Sequence, residues 1–466
     1  MAHRQRITGG TIVTADVLSE SDLLIEDGRI AAWIPATAEV ADAEIVDASG
    51  LWVMPGAIDV HTHFEEPDPR MLEGFETGSH AAAAGGITTV IEMPQAHPTS
   101  TTAAHLREKA GIADRNSIVD MAFWGGVILQ NDQTEQDLLA MANAGAVAFK
   151  SFMASSSPFF PAVDNDQLAR AMVVAQETGL PYGLHAEDNA MLKAGIARMQ
   201  AAGRVDPMAH AESRPPVVET VAVACALALA EETGAPVHIC HAASAGALAL
   251  IAEAKSRGVS VTCETCPQYL VLNTDDLVRL KGFGRCAPAL RSQDEVERIW
   301  DFVLDGTIDL LCSDHCGFTY ESKAAGESDI FAVPLGLQGI QNLVVATFSE
   351  GVVRRGLSPS SWIAMLTAHP ARVFDLAPRK GSLAPGADAD VMLFDPGLTW
   401  EVNVEDHLHR QPWSPYAGKT MQGRVRRTIR RGETIFDDQL SGRDRITAAP
   451  GSGRAITRGG EPFSIA

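Results

Sequence analysis

Between about Pro55 and Asp375, short runs of β-prone apolar residues alternate with longer helical stretches, and that alternation leaves few folds open. The strand runs are Ala57–Val60, Thr88–Met93, Val147–Lys150, Tyr182–His185, Val237–His241, Ser260–Cys263 and Ile308–Asp314. Strands that take turns with helices predict a parallel sheet wrapped by those helices. Over residues 56–375 this reads as an α/β fold, a (β/α)8 TIM-like barrel. Several of the runs end in a residue able to bind a metal, and in such a barrel the carboxyl ends of the strands share one face.

The two ends of the chain have a different texture. Gly10–Thr14, Asp22–Ile25, Arg29–Trp33 and Glu44–Asp47 alternate with turns, and the pattern returns in Ala389–Phe394, Gly423–Ile429 and Gly432–Ile435. Residues 1–55 and 376–440 are therefore expected to build one small β-sandwich domain together. The stretch 441–466 is rich in Gly, Ser and Arg without periodicity, and reads as a flexible tail or an oligomer arm on a partner subunit.

At 46% hydrophobic and 21% charged residues, the 466-residue chain can bury a large core. Its 59 acidic and 37 basic residues give a formal charge of −22. That field repels a polyanion such as nucleic acid and leaves small neutral or cationic ligands as the expected partners. No run reaches the roughly 18 apolar residues a membrane span needs, Thr220–Ala230 being the longest candidate, so a soluble protein is expected. The start runs into Ile7-Thr8-Gly9-Gly10 instead of an apolar signal core, which makes cytoplasmic residence the default. Seven cysteines, an odd number, read as reduced thiols, and Cys263-Glu264-Thr265-Cys266 has no second pair at zinc-ribbon spacing.

His61-Thr62-His63 ends a buried strand, so two imidazoles sit at i and i+2 on one side of the extended chain. Lys150, His185, His241 and Asp314 also follow β-prone runs, and strand ends converge in a barrel. A lysine closing the apolar run Val147–Lys150 is costly as a buried ammonium. Carboxylation would turn it into a bidentate anion able to bridge two cations about 3.5–4 Å apart. Asp314, in Ser313-Asp314-His315, reads either as a metal-bound carboxylate that doubles as general base or as a helix N-cap. His238 reads as a packed or hydrogen-bonded histidine.

The segments Gly56–Phe64, Glu73–Gly78, Ala81–Pro94, Gly183–Asp188, His238–Ser244, Cys263–Tyr269 and Cys312–His315 resemble the cyclic amidohydrolases: allantoinases, hydantoinases, dihydropyrimidinases and dihydroorotases. The resemblance runs in order over about residues 5–438. It implies that His61, His63 and Asp314 hold one divalent metal and His185 and His241 the other, with carboxylated Lys150 bridging. Imidazole and carboxylate ligands suit zinc first, with manganese, iron, cobalt or nickel able to take the same site. Asp314 would act as general base toward a water activated by the two metals, then as general acid toward the departing ring nitrogen. Relatives of this kind are commonly homotetramers or dimers.

Within the family, dihydroorotases carry an arginine two places after H-x-H and an asparagine after Met-Pro; here Glu65 and Gln95 stand there. Dihydropyrimidinases and many D-hydantoinases carry a tyrosine shortly after the lysine, where this chain reads Lys150-Ser151-Phe152-Met153-Ala154-Ser155. The run Arg410–Gly418 is closer to allantoinases and allantoinase-like hydantoinases, although Gln95-Ala96-His97-Pro98 departs from their Leu-Asn. The expected activity is opening of a five-membered cyclic ureide, allantoin or a 5-substituted hydantoin. A dihydropyrimidinase or dihydroorotase, a non-catalytic assembly protein, and a deaminase or acyclic amidase on the same barrel are the alternatives. Gln95, Ser155, Thr265, Asn273, Pro288 and Gly336 are the expected substrate contacts, and Phe152, Phe159, Phe160 and Phe318 the candidate pocket walls.

Overall fold

The computed structural model describes residues 3–68, 72–130, 133–155, 157 and 159–464. Ala57–His63, Ile87–Glu92, Asp120–Gly126, Ala148–Phe152, Tyr182–His185, Val237–Ile239, Val261–Thr265 and Leu310–Leu311 pair in that order, every pair parallel. His315–Cys316 pairs in parallel with Thr62–His63. Since Leu310–Leu311 and His315–Cys316 belong to one short run, the eighth strand is split in two and the sheet closes on itself as an eight-stranded barrel. The Ser313 N–H, in the gap between the halves, donates to Asp59 Oδ1 of the first strand at 3.0 Å.

The units between strands obey local rules. Asp164 and Gln167 form a capping box that starts the helix Asn165–Thr178, and Gly179 at φ 67° ends it just before the strand Tyr182–His185. One helical run, 207–233, is long and apolar enough by length and composition to cross a bilayer. Within it Val218, Ala222, Val223, Ala226 and Ala230 are buried in the barrel's outer layer. Asp120–Gly126, absent from the strand runs read in the sequence, is the third strand, buried throughout.

The chain ends form two further sheets. One has the order Arg29–Ile34, Asp22–Glu26, Arg4–Thr8, Glu44–Asp47. The other runs Glu433–Asp437, Thr420–Arg430, Val391–Glu401, Trp52–Pro55, Thr11–Val13, Leu18–Ser19, and so interleaves both ends of the chain. Ile7, Ile12, Leu23, Ile25, Val53, Val391 and Ile429 fill the space between them.

The stretch after Asp438, expected as a tail or arm, packs on its own chain. Ala148 enters the sheet only opposite Trp124, which leaves the backbone of Met121 open on that side. Met121 N–H donates to Arg454 O and Ile456 N–H donates to Met121 O, each at 2.8 Å, so this stretch fills the notch. Phe463 packs edge-on against Phe123 at 6.0 Å. Beside it, buried Lys380 reaches Asp120 at 2.5 Å, Asp390 at 2.8 Å and Asp388 at 3.1 Å, and Arg431 also pairs with Asp120. The apolar side chains and this ion cluster hold the segment in place; its Gly, Ser and Arg content hid them.

Candidate active site

His61 and His63 leave the first strand on the same side, as the two-residue period requires. Their Nε2 atoms lie 3.4 and 3.3 Å from Asp314 Oδ1. No helix begins at Asp314: it occupies the gap in the split eighth strand at φ 49°, which removes the N-cap reading. His185 ends the fifth strand, and His241, at φ 38°, follows the sixth. His185 Nδ1 and His241 Nε2 are 3.1 Å apart, while the rings of His61 and His241 are centred 5.2 Å apart. Two non-glycine residues held at positive φ within one cluster store backbone strain of the kind concentrated at functional sites.

Lys150 stands in the fourth strand with Gly126 and Gly183 as its lateral partners. Its ammonium is fully buried and finds no hydrogen-bond acceptor among the described residues, and it lies 4.6 Å from the centre of the Phe152 ring. An unpaired ammonium beside four imidazoles is a costly arrangement. Around it the donor atoms suit divalent ions: three clustered ligand atoms from His61, His63 and Asp314, and a second pair of ring nitrogens close enough for one ion to bond both.

Carboxylates behind the imidazoles fix their tautomers. His61 Nδ1 meets Glu264 Oε1 at 2.5 Å, which leaves Nε2 as a lone pair facing Asp314. Glu264 also takes His238 Nε2 at 3.1 Å and the His241 N–H at 3.2 Å. His238 is thus a hydrogen-bonded core histidine, with Thr262 Oγ1 on its other nitrogen at 2.7 Å. His185 Nε2 meets Glu187 Oε2 at 2.9 Å, so its Nδ1 is the free lone pair. Neither Glu187 nor Glu264 was singled out in the sequence; a glutamate inside the apolar strand Val261–Thr265 is the signal that marks Glu264.

Burial lowers the pKa of His61, His185 and His241, and the nearby Lys150 adds to it, the direction that metal ligation requires. For His63 burial works the same way, but Asp314 outweighs it and the pKa rises. Burial would raise Asp314; His61 and His63 override it and hold the carboxyl below its ordinary value. At Cys263 and Cys266 burial raises both thiols, and all seven cysteines are free.

Five of the six candidate ligands line a cavity of about 440 Å³, with Lys150 behind them. That size suits a small molecule. Gln95, Ser155 and Gly336 line it, as do Phe152, Phe159 and Phe318. Gly336 supplies wall only, since its N–H donates to Arg285 O and its carbonyl accepts from Lys323. The other expected contacts lie elsewhere. Thr265 is buried and donates to Ala242 O at 2.7 Å. Asn273 caps the helix Thr274–Leu280. Pro288 spends its carbonyl on Tyr269 OH at 2.9 Å, so that its neighbour Ala287 reaches the cavity instead. Phe160 is fully buried against Ile128 and Phe152.

Comparison with known proteins agrees with this geometry. Residues 52–435 match the Amidohydrolase family. An allantoinase from Rubrobacter xylanophilus is 40% identical over 92% of this chain and 94% of its own. A D-hydantoinase from Streptomyces coelicolor is 33% identical over 94% and 96%. Among solved structures, L-hydantoinase (dihydropyrimidinase) from Arthrobacter aurescens superposes with a TM-score of 0.93 at 32% identity, covering 98% of this chain and all of that one.

Proposed function

The chain belongs to the amidohydrolase family, and from that premise we propose that it hydrolyses a five-membered cyclic ureide, allantoin or a 5-substituted hydantoin. The observation that carries this reading is the convergence of His61, His63, His185, His241 and Asp314 around the unpaired amine of Lys150 at a cavity of small-molecule size.

In this reading His61, His63 and Asp314 would hold one divalent ion and His185 and His241 a second, zinc being the first candidate, and Lys150, once carboxylated, would be the anionic ligand they share. When bound, the ions lower the pKa of a water and polarise the ring carbonyl. Asp314, kept ionised by its imidazole neighbours, takes the proton of the attacking water and returns it to the departing ring nitrogen. Glu264 and Glu187 hold His61 and His185 in the tautomers that turn a lone pair inward. Gln95 and Ser155, which line the cavity, would hydrogen-bond the ring, while Phe152, Phe159 and Phe318 would keep bulk water from it. The product is a ring-opened carbamoyl amino acid or ureido acid.

Allantoin, 5-substituted hydantoins, dihydrouracil and dihydroorotate, offered to purified enzyme of measured metal content, test the reading. Turnover of allantoin or a hydantoin ahead of the six-membered rings is expected. Preference for dihydrouracil or dihydroorotate would move the substrate class, and no ring opening at about two metals per chain would overturn it.

A further inference from the structure

One part of the cavity wall carries two buried guanidinium groups that ring opening does not use. Arg214 follows the helix Pro207–Ser213 and is 2% exposed; Arg285 follows the turn Lys281–Gly284 and is 6% exposed. Both line the cavity. Arg214 pairs through Nη1 with Glu187 Oε2 at 3.1 Å, but that same oxygen is already bonded to His185 at 2.9 Å. Arg214 Nε has no hydrogen-bond partner among the described residues, and neither does Glu187 Oε1.

Arg285 has only neutral acceptors: Phe331 O at 3.1 Å, Val333 O, and His210 Nδ1 at 3.5 Å. Among the described residues its second terminal nitrogen takes no hydrogen bond and no carboxylate lies within ion-pair distance. Behind it Lys323, also buried, donates to the carbonyls of Arg285, Pro334 and Gly336. Of these three basic side chains only Arg214 has a carboxylate within ion-pair distance among the described residues, Glu187, and Arg285 feels Asp329 only from further off, in a chain whose formal charge is −22. Burial lowers the Arg285 pKa to about 10, still protonated at neutral pH. A buried cation without a counter-ion is costly unless something supplies the negative charge.

We propose that Arg285 and Arg214 form an anion subsite of the cavity, which binds a carboxylate on the exocyclic substituent of the substrate and selects hydantoins whose side chain ends in a carboxylate. This rests on the ring-opening reading above, and departs from the neutral or cationic ligands that net charge alone suggests. A guanidinium presents a planar pair of donors matched to a carboxylate, and the burial of both groups leaves little water to compete.

The test compares hydantoin-5-propionate with 5-isobutylhydantoin, a neutral substituent of similar length. The wild-type enzyme is expected to favour the carboxylate by about tenfold or more in kcat/KM, and its KM for that substrate should rise with salt. Arg285→Gln should pull the ratio down toward one, with Arg285→Lys in between. A wild-type ratio of one or less, or a ratio untouched by Arg285→Gln in a variant with a native melting profile, overturns the proposal. Calorimetric binding of the ring-opened N-carbamoylglutamate against N-carbamoylleucine decides the subsite without turnover. If neither hydantoin is opened but carbamoylglutamate binds at least tenfold tighter, the subsite stands and the ring-opening reading fails; equal binding sinks the subsite.

Discussion

Replacing Glu264 by glutamine keeps the shape of the side chain and removes its charge, in a place where three donors converge. The carboxylate takes His61 Nδ1 at 2.5 Å, His238 Nε2 at 3.1 Å and the His241 N–H at 3.2 Å. Burial alone would raise its pKa, but His61 and His238 outweigh burial and keep it ionised. The amide of a glutamine has one acceptor oxygen and one NH2, so at least one imidazole N–H would face a donor. If that imidazole is His61, its cheapest escape is the other tautomer, which puts the proton on Nε2, the atom turned toward Asp314. Losing such a support typically costs about 10–100-fold in metal affinity, or about 1.4–2.7 kcal/mol. Apo-enzyme reconstituted in competition with a chromogenic chelator reads that loss directly, and kcat/KM on the best hydantoin should fall with it at subsaturating metal. A Glu264→Gln protein that holds metal within about threefold of wild type and turns over equally fast would refute the tautomer argument.

Lys150→Ala should lose most bound metal and activity, with partial rescue by short carboxylates; retention of two ions per chain would contradict the bridging role. Lys380→Met removes the cation shared by Asp120, Asp388 and Asp390 and should cost about 3–5 kcal/mol, read by thermal and urea melts. The pH dependence of that cluster has two main arms, from Lys380 and Asp120, while Asp390, whose pKa burial raises, works against the acid arm. Burial opposes the charge on Lys380, yet its three carboxylates raise its pKa above the ordinary 10.5, so its contribution is present below pH 10.5 and lost as pH climbs through the raised value. Burial would raise Asp120, but Lys380 and Arg431 hold it below 3.8, so its contribution is present above that pH and lost as pH falls through the lowered value. Stability that falls monotonically between pH 5 and 9 in wild type but is flat in Lys380→Met would contradict this assignment. Phe463→Ala should destabilise by about 3 kcal/mol, and an unchanged melt would mean that the segment after Asp438 contributes nothing to the barrel.

The barrel could be read because most of its strands are largely apolar and end in residues that stand out against that background. Asp120–Gly126 escaped because it opens with a charge and closes on two glycines, neither of which looks like a strand until Lys380 and Lys150 are placed beside them. The candidate metal ligands could be found one by one, since each is the polar residue at or near the end of an apolar run. Their supports were harder to find: Glu187 lies beside His185 in sequence, but Glu264 meets His61 only through the closed barrel. Asn273 shows the opposite error. Asn273-Thr274-Asp275-Asp276 carries a capping box in plain view, and helix initiation explains that asparagine without any substrate. Arg285 has no local signature, because what distinguishes it is that no carboxylate among the described residues lies within ion-pair distance, and that is a property of three dimensions.

The join at which the circle of strands meets itself is also where Asp314 stands, between Leu311 and His315. A ring parts most easily at its weakest link, and here the two half-strands contribute only two residues each. Slight breathing at that link would carry the proposed proton carrier away from His61 and His63 while the rest of the molecule stayed folded. Warming should therefore silence the enzyme before it melts it, and whatever braces this link, Asp59 beneath Ser313 included, sets the upper temperature for turnover.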